Sequence, residues 1–577
     1  RKLHLNQVGF EASGPKRAVV ESNAASTKFQ VVNASNEAIY CGTLTAQSFA
    51  EWGGGPNFQT AAFDELNLPG TYRLYVEGSF SESFNIGEHQ LLSATAASVV
   101  DYFRQMRAED SNVWSFDASV SFYGGRSGTA DVRGGWYDAS GDISKYLSHL
   151  SYANFLNPQQ IPLVAWALAY SHDAGASALQ SLGLAQQVQT EALWGADYLV
   201  RVLDPAGYFY ATVFDGWSGN VGDRRICAFS GSNGILNANY QAAMREGGGM
   251  SIAALARIAH WGVNSPHNAG RTSADYLNAA EMAWAHLNSA DATYGTKSKL
   301  YADDHKDNVI DDYTGLLAAS ELYAATQDAQ YLTAARSRAV SLSGRLEPTQ
   351  HYFIADGASR PFWHASDAGL PVIALARYAE VETDAAQRAA AVTAIQQHLS
   401  YLVSVTNAVS NPYGYARQTF RSQSAIQTGF FIPHDNESNY WWQGEDARLA
   451  SLSAAALIGG RVANPGNSGP LGVPADLAAY ATRQLDWVLG ANPYDACMLQ
   501  GFGRNNPPAY NGSKPQGGTL TGGIANGITG SGTNGSGIQW NTSVADPQAD
   551  GWTLWRWVEQ WLPHSAWYLV AVTAQAQ

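Results

Sequence analysis

The spacing of apolar positions divides the chain in two. Through residues 1–88, Val, Tyr, Phe and Ile come in short runs ("KLHLNQV", "KRAVVES", "KFQVVN", "TYRLYVEG", "FSESFNI") separated by Gly, Pro, Asn and Ser. Such runs between turn formers predict strands, and their close succession predicts a small sandwich of immunoglobulin type. From about residue 93 the period changes to three and four. "SATAASVVDYFRQMRA", "LAQQVQTEALWGADYLVRVL" and "SADYLNAAEMAWAHLN" each carry one apolar stripe, as amphipathic helices do, and comparable stretches recur up to "WLPHSAWYLVAVTAQ". With "DISKYLSHLSYANF", which predicts a further helix, they number about a dozen, enough for six hairpins closed into an (α/α)6 barrel. The expected organisation is an all-β domain at 1–88 followed by a mainly-α barrel at 89–577. The glycine-rich "GGTLTGGIANGITGSGTNGSG" is too long for a hairpin turn and reads as the rim of a cleft.

Composition narrows the function. At 45% hydrophobic residues the chain can fill a large core, and no apolar run reaches the roughly 18 residues of a membrane span. A net charge of −15 argues against nucleic acid, whose phosphates demand Lys and Arg, and mildly favours a neutral or cationic ligand. Eighteen Trp and 29 Tyr beside only 14% charged residues supply flat faces for sugar C–H groups, although most aromatics in a helical protein pack its core. Cys41, Cys227 and Cys497 are too scattered for a metal site and suggest free buried thiols. The N-terminal "RKLHLNQVGF" has no apolar leader and no initiating Met, which leaves a removed upstream segment open. Thiols and missing leader together point to the cytoplasm, with the periplasm or secretion as the alternative.

The candidate chemistry lies at both ends of the helical region. In "RGGWYDASGDISKY", Asp138 and Asp142 flank Ala-Ser-Gly, where two carboxylates could hold one water, one as proton acceptor and one as positioner. Gly141 would let the backbone turn between them. The alternative is that Asp142 is the N-cap of a helix beginning at "ISKYL". Glu559 stands between Trp557 and Trp561, where large rings would disfavour its ionised form and leave a proton to donate; alternatively it is an exposed glutamate at a helix start.

"NQVGF", "LPGTYRLYV", "GGWYDASGD", "REGGGMSIAALARIA", "FWHASDAGLPVIALARY", "WWQGEDARLASLSAAAL", "LDWVLGANPYDACMLQGFG" and the Glu559 segment occur in that order. Together they resemble glycoside hydrolase family 9 enzymes bearing an N-terminal immunoglobulin-like domain, over essentially the whole chain. The resemblance implies an (α/α)6 barrel and inverting hydrolysis of β-1,4 bonds, with Asp142 as general base, Asp138 holding the nucleophilic water and Glu559 as general acid. Inversion requires roughly 6.5–9.5 Å between acid and base, to leave room for water. No cofactor is required. Some family members bind a structural calcium, but "YADDHKDNVIDD" lacks the spacing of a calcium loop and reads as a solvated helix start.

The chain departs from the family pattern at the site. The common Asp-Ala-Gly-Asp gains Ser140; "AYNGSKPQGG" stands where cellulases carry a His-His-Arg cluster; and Pro563 and His564 replace a tyrosine after the acid. "WWQGENAR" becomes "WWQGEDAR", so Asp446 follows Glu445, with Asp435 and Glu437 nearby; acids at a helix start are the alternative reading. These departures resemble the exo-β-D-glucosaminidase branch, which removes glucosamine from the non-reducing end of chitosan oligosaccharides, a cationic sugar suited to an acidic pocket. The alternatives are a cellodextrinase or endo-β-1,4-glucanase, and a carbohydrate-binding protein without catalysis. Expected substrate contacts are Trp136, Tyr137, Trp441, Trp442, Glu445, Asp446 and His564, with Trp441 and Trp442 as stacking faces. The expected partner is a small oligosaccharide, not nucleic acid or membrane.

Overall fold

A computed structural model describes residues 1–53, 57–149, 156–268, 270–510, 519–543 and 554–577. The N-terminal strands are β1 (Lys2–His4), β2 (Gly9–Glu11), β3 (Arg17–Ser22), β4 (Lys28–Asn33), β5 (Ala38–Thr43), β6 (Thr45–Gln47), β7 (Asn57–Ala62), β8 (Gly70–Val76), β9 (Ser79–Phe80) and β10 (Phe84–Gly87). One sheet has the order β1–β3–β7–β6, the other β2–β10–β8–β4–β5 with β9 beside β8. Alternating apolar side chains, among them Phe10, Val20, Phe29, Val31, Phe63, Leu74 and Phe84, fill the space between them. The run "KLHLNQV" contributes only β1, because Asn6 leaves the sheet to bind across the domain junction. Strands β5, β6 and β7 went unread in the sequence: β5 and β6 carry no run of buried positions, and β7 starts just after a glycine-rich stretch.

Among the described residues, twelve long helices form the rings of the second domain, with shorter helical turns between them: α1 (Gln90–Gln105), α2 (Ile161–Ala174), α3 (Ala185–Arg201), α4 (Gly248–Ala259), α5 (Ser273–Leu287), α6 (Val309–Thr326), α7 (Ala329–Ser343), α8 (Leu370–Val381), α9 (Ala385–Asn407), α10 (Glu445–Ala463), α11 (Ala475–Val488) and α12 (Leu562–Gln575). The even-numbered helices pack in the cyclic order α2–α4–α6–α8–α10–α12, with α12 closing on α2, while α3, α5, α7, α9 and α11 each lie outside the inner helix before them in the chain and α1 lies against α12. The two rings differ in burial as this geometry requires. All of α12 and nearly all of α10 is buried, whereas α5 buries a single stripe of Tyr276, Ala279, Ala280, Ala283, Trp284 and Leu287. This is an (α/α)6 barrel.

The expected helix at "DISKYLSHLSYANF" does not form. Lys145–Tyr146 is instead strand β11, in a sheet with β12 (Thr212–Phe214), β13 (Arg225–Ser230) and β14 (Ile235–Asn237), and residues 150–155 lie outside the described set. Long-range pairing to β12 overrides a helical pattern of modest length. The acidic stretch Tyr301–Asp312 is a helix start, with Asp303, Asp304 and Lys306 exposed as expected and its end buried. Asn308 caps α6, and Asp311 and Asp312 are buried, the latter paired with Arg338 at 3.0 Å and Arg345 at 2.6 Å. The remaining segments carrying candidate residues lead into the N-termini of the inner helices, so the site sits at one end of the barrel.

Candidate active site

Asp138–Asp142 forms a tight turn in which Ala139 and Asp142 exchange both backbone hydrogen bonds, at 3.3 and 3.2 Å. Ser140 and Gly141 occupy its tip. Gly141 is needed there for space, not for an unusual backbone angle: a Cβ at this position would lie 2.5 Å from Glu559 Oε2 and would also strike the Tyr510 ring. Asp142 caps no helix. Its Oδ1 accepts the Ser144 N–H (2.9 Å), and its Oδ2 accepts the Tyr146 hydroxyl (2.7 Å) and the Trp217 indole N–H (3.2 Å). Asp138 Oδ1 accepts the Trp561 indole N–H (3.0 Å) and the Gln160 amide. Both carboxyls are thus held in orientation by five donors from four segments of the chain.

The C-terminal segment docks directly onto this turn. Ser140 N–H donates to Gln560 O at 2.8 Å, Leu562 N–H donates to Asp138 O at 3.1 Å, and Ala139 and Trp561 form an antiparallel bridge. Half-buried Glu559 therefore lies beside the aspartate pair across about 420 residues of sequence, after the single helical turn Trp555–Val558.

Electrostatics separate the two aspartates. Burial first, then the negative charges of Asp142 and Glu559, raises Asp138 well above the usual carboxylate range. Burial, then Asp215, pushes Asp142 up to about 6. Two close buried carboxyls resist ionising together, and both are held above the ordinary carboxylate range. Asp215 is fixed by Ser144 Oγ (3.0 Å) and the Trp217 and Gly219 N–H groups (2.8 and 3.1 Å). Behind the turn, Asp117 binds Arg224 through two 2.9 Å hydrogen bonds and Lys145 at 2.7 Å, all three fully buried. Burial alone would raise Asp117, but Lys145 and Arg224 outweigh it and hold the carboxyl below its ordinary value. Arg224 also donates to Ile143 O (2.6 Å), and Lys145 to Gly134 O (2.9 Å), so the triad grips the turn at both flanks.

Several expected substrate contacts lie elsewhere. Trp136 is wholly buried and donates to Glu191 Oε2 (3.0 Å), and Tyr137 is buried and donates to Asp110 (2.6 Å); both are core. Glu445 is buried against Arg448 (2.7 Å), Tyr415 OH (2.7 Å) and Ile432 N–H (2.7 Å), so it braces α10. Asp446 is buried under Gly527, whose absent Cβ would stand 2.5 Å from Asp446 Oδ2, and neither carboxyl oxygen has a hydrogen-bond partner among the described residues. His564 is buried against Asn526 Oδ1 at 2.8 Å, and burial lowers its pKa to about 3. Trp441 is buried edge-on to His149 (4.9 Å), while Trp442 is half-buried, stacked on His434 at 3.8 Å beneath Arg556. Most of "AYNGSKPQGG" (511–518) lies outside the described residues.

Trp217, Asp215, Gln160, Trp561 and Tyr510, which also contact or face the acids, carried no signal of that role in sequence. Apart from Asp215 and Trp217 they lie on separate segments, and only Trp561 stands near Glu559 in the sequence. All three cysteines are free, Cys227 and Cys497 buried as expected and Cys41 exposed. Among the described residues no cluster of His, Cys, Asp and Glu could hold a metal ion.

A closed double ring of helices with carboxyls gathered at one end places an acid and a carboxylate pair where one substrate could meet both. A glycosyl hydrolase family 9 model matches residues 93–527, and a cellulase N-terminal Ig-like domain model matches residues 1–81. The chain belongs to glycosyl hydrolase family 9, with an N-terminal immunoglobulin-like domain, and is a glycoside hydrolase. Glu559 lies beyond the matched span. A cellodextrinase of Butyrivibrio fibrisolvens is 27% identical over 169 residues, which is 26% of this chain and 30% of that protein. A family 9 protein of Bacteroides ovatus superposes with TM-score 0.65 at 16% identity, over 100% of this chain and 98% of its own. A metagenome-derived family 9 endoglucanase gives 0.65 at 19%, covering 100% and 99%, and an endoglucanase mutant of Alicyclobacillus acidocaldarius 0.63 at 16%, also covering 100% and 99%.

Proposed function

We propose that this protein is an inverting hydrolase of β-1,4-linked sugar oligomers in which Asp142 is the general base, Asp138 orients the attacking water and Glu559 is the general acid. The observation that carries this reading is the backbone pairing of Asp138–Ala139 with Trp561–Leu562, which seats Glu559 opposite the aspartate turn. A base with a pKa of about 6 is ionised at neutral pH yet still basic enough to take a proton from water. Asp138, raised by burial and by the charges of Asp142 and Glu559, favours the protonated form that lets the pair share one water without repulsion. Attack on the anomeric carbon then inverts it, while Glu559 protonates the departing oxygen.

For the sugar, the named relatives support glucan oligomers of the cellodextrin class. A second reading, glucosamine oligomers cut from the non-reducing end, rests on the site's charge. The charges that raise the aspartates are carboxylates, Asp215 on Asp142, and Asp142 then Glu559 on Asp138, and an ammonium group on C2 would be welcome among them. Asp446 plays no part in either reading. Side-by-side incubation with cello- and chitosan oligomers, followed by chromatography of products, separates the two: glucose or cellobiose alone supports the first, glucosamine alone the second. Proton NMR of the first-formed anomer tests inversion; a β-anomer product would overturn the mechanism.

A further inference from the structure

The turn between the aspartates contains one residue that does no acid–base chemistry and is fully buried, Ser140. Both of its polar groups on the side of the acid are spent on one partner. Its N–H donates to Gln560 O (2.8 Å), and its hydroxyl oxygen accepts the Gln560 N–H (3.0 Å). Gln560 is also buried, and its side chain faces away from the turn: Nε2 donates to Leu520 O (2.7 Å) and Oε1 accepts the Leu520 N–H (3.0 Å). Residue 560 is therefore tied on one side to the aspartate turn and on the other to the glycine-rich wall. Glu559, next in the chain, takes its position from that anchorage, helped by Asn526, whose N–H donates to Glu559 O at 2.9 Å.

We propose that Ser140 is a positioning residue for the general acid: its hydroxyl completes a two-bond clasp on Gln560 that sets where the Glu559 carboxyl stands relative to the aspartates. Ser140 is also the residue by which this turn exceeds the family's Asp-Ala-Gly-Asp spacing. A three-residue step between the aspartates would offer no hydroxyl here, so the longer turn and the clasp belong together. Without the hydroxyl, the Gln560 N–H is a buried donor lacking its acceptor, and the strand can relieve this only by shifting, carrying Glu559 with it. A displacement of about 1 Å in a catalytic group can cost on the order of a hundredfold in rate.

This inference rests on the proposed role of Glu559, and the test separates the two. A sugar leaving group needs the acid's proton; a dinitrophenolate does not. We compare Ser140→Ala, Ser140→Gly and Glu559→Gln on the oligomer cleaved in the product assay and on the dinitrophenyl β-glycoside of the same sugar residues. The clasp predicts that both Ser140 variants lose about ten- to a hundredfold in kcat on the oligomer, keep KM within about threefold, and lose less than about threefold on the dinitrophenyl glycoside. Equal losses on both substrates, no loss on either, or failure of both variants to fold would overturn it, since the hydroxyl would then serve the fold or nothing. If Glu559→Gln spares the dinitrophenyl glycoside and the Ser140 variants do not, only the clasp falls. If Glu559→Gln lowers both substrates alike, the acid assignment itself fails and the clasp with it.

Discussion

Two buried acids show how differently one side chain can be used. Burial, then Asp215, raises Asp142 to about 6 against three hydrogen-bond donors that favour its ionised form. Its ionised form is the base, so kcat/KM should fall about tenfold per unit as pH drops below about 6. Asp215→Asn, which removes a neighbouring negative charge, should move that limb to lower pH; an unmoved limb in the pH–rate profile would discharge Asp142 as base. Asp446 has no hydrogen-bond donor among the described residues, and burial, then Glu445, raises its pKa well above the ordinary range. The folded protein keeps this proton to higher pH than the unfolded chain, so unfolding releases it and stability declines as pH rises above about 4, by up to about 1.4 kcal/mol per unit. Asp446→Asn should therefore raise the melting midpoint, with a gain larger at pH 7 than at pH 5, and leave sugar preference unchanged. Calorimetry at the two pH values decides this; a gain independent of pH would mean the carboxyl is ionised in the fold.

At the scale of elements, the turn bearing the aspartates is not stiffened by any helix or long strand of its own. The Asp117–Lys145–Arg224 triad does that work from beneath, holding residues 134 and 143 through backbone carbonyls. Breaking a buried ion pair leaves the remaining charge uncompensated, and Arg224→Gln should cost about 3–5 kcal/mol in denaturant unfolding. Because Arg224 also fixes Ile143 O, kcat should fall more than KM rises. Full stability with reduced activity, or the reverse, would split the two roles assigned to this arginine. The same element explains a failed expectation. "DISKYL" has apolar spacing fit for a helix, but Lys145 is drawn to Asp117 and Tyr146 to Asp142, and both backbones pair with β12. The pattern of the segment is equally compatible with either outcome until those partners exist.

At the scale of the molecule, the sandwich keeps an apolar core of its own, while Val8, Val19, Trp52 and Phe58 join that of the barrel; Trp52 nests among Tyr413, Tyr415, Phe430, Phe431 and Trp487 of the second domain. Asn6 and Gln7 reach Asp486 and Asp495 across the same junction. The sequence determined the strand-rich start, the period and order of the twelve helices, and the identity of three acids set in family motifs. Those properties are local, because burying one face of a helix or strand writes a repeat into the chain that bears it. Only the tertiary structure decided that Trp136, Tyr137, Glu445, Asp446 and His564 face inward, that Asp142 caps nothing, and that Trp217 and Asp215 stand beside it. These are relations between segments tens to hundreds of residues apart. They are created when the ring of inner helices closes and brings α12 beside α2, an event to which no single stretch of sequence bears witness.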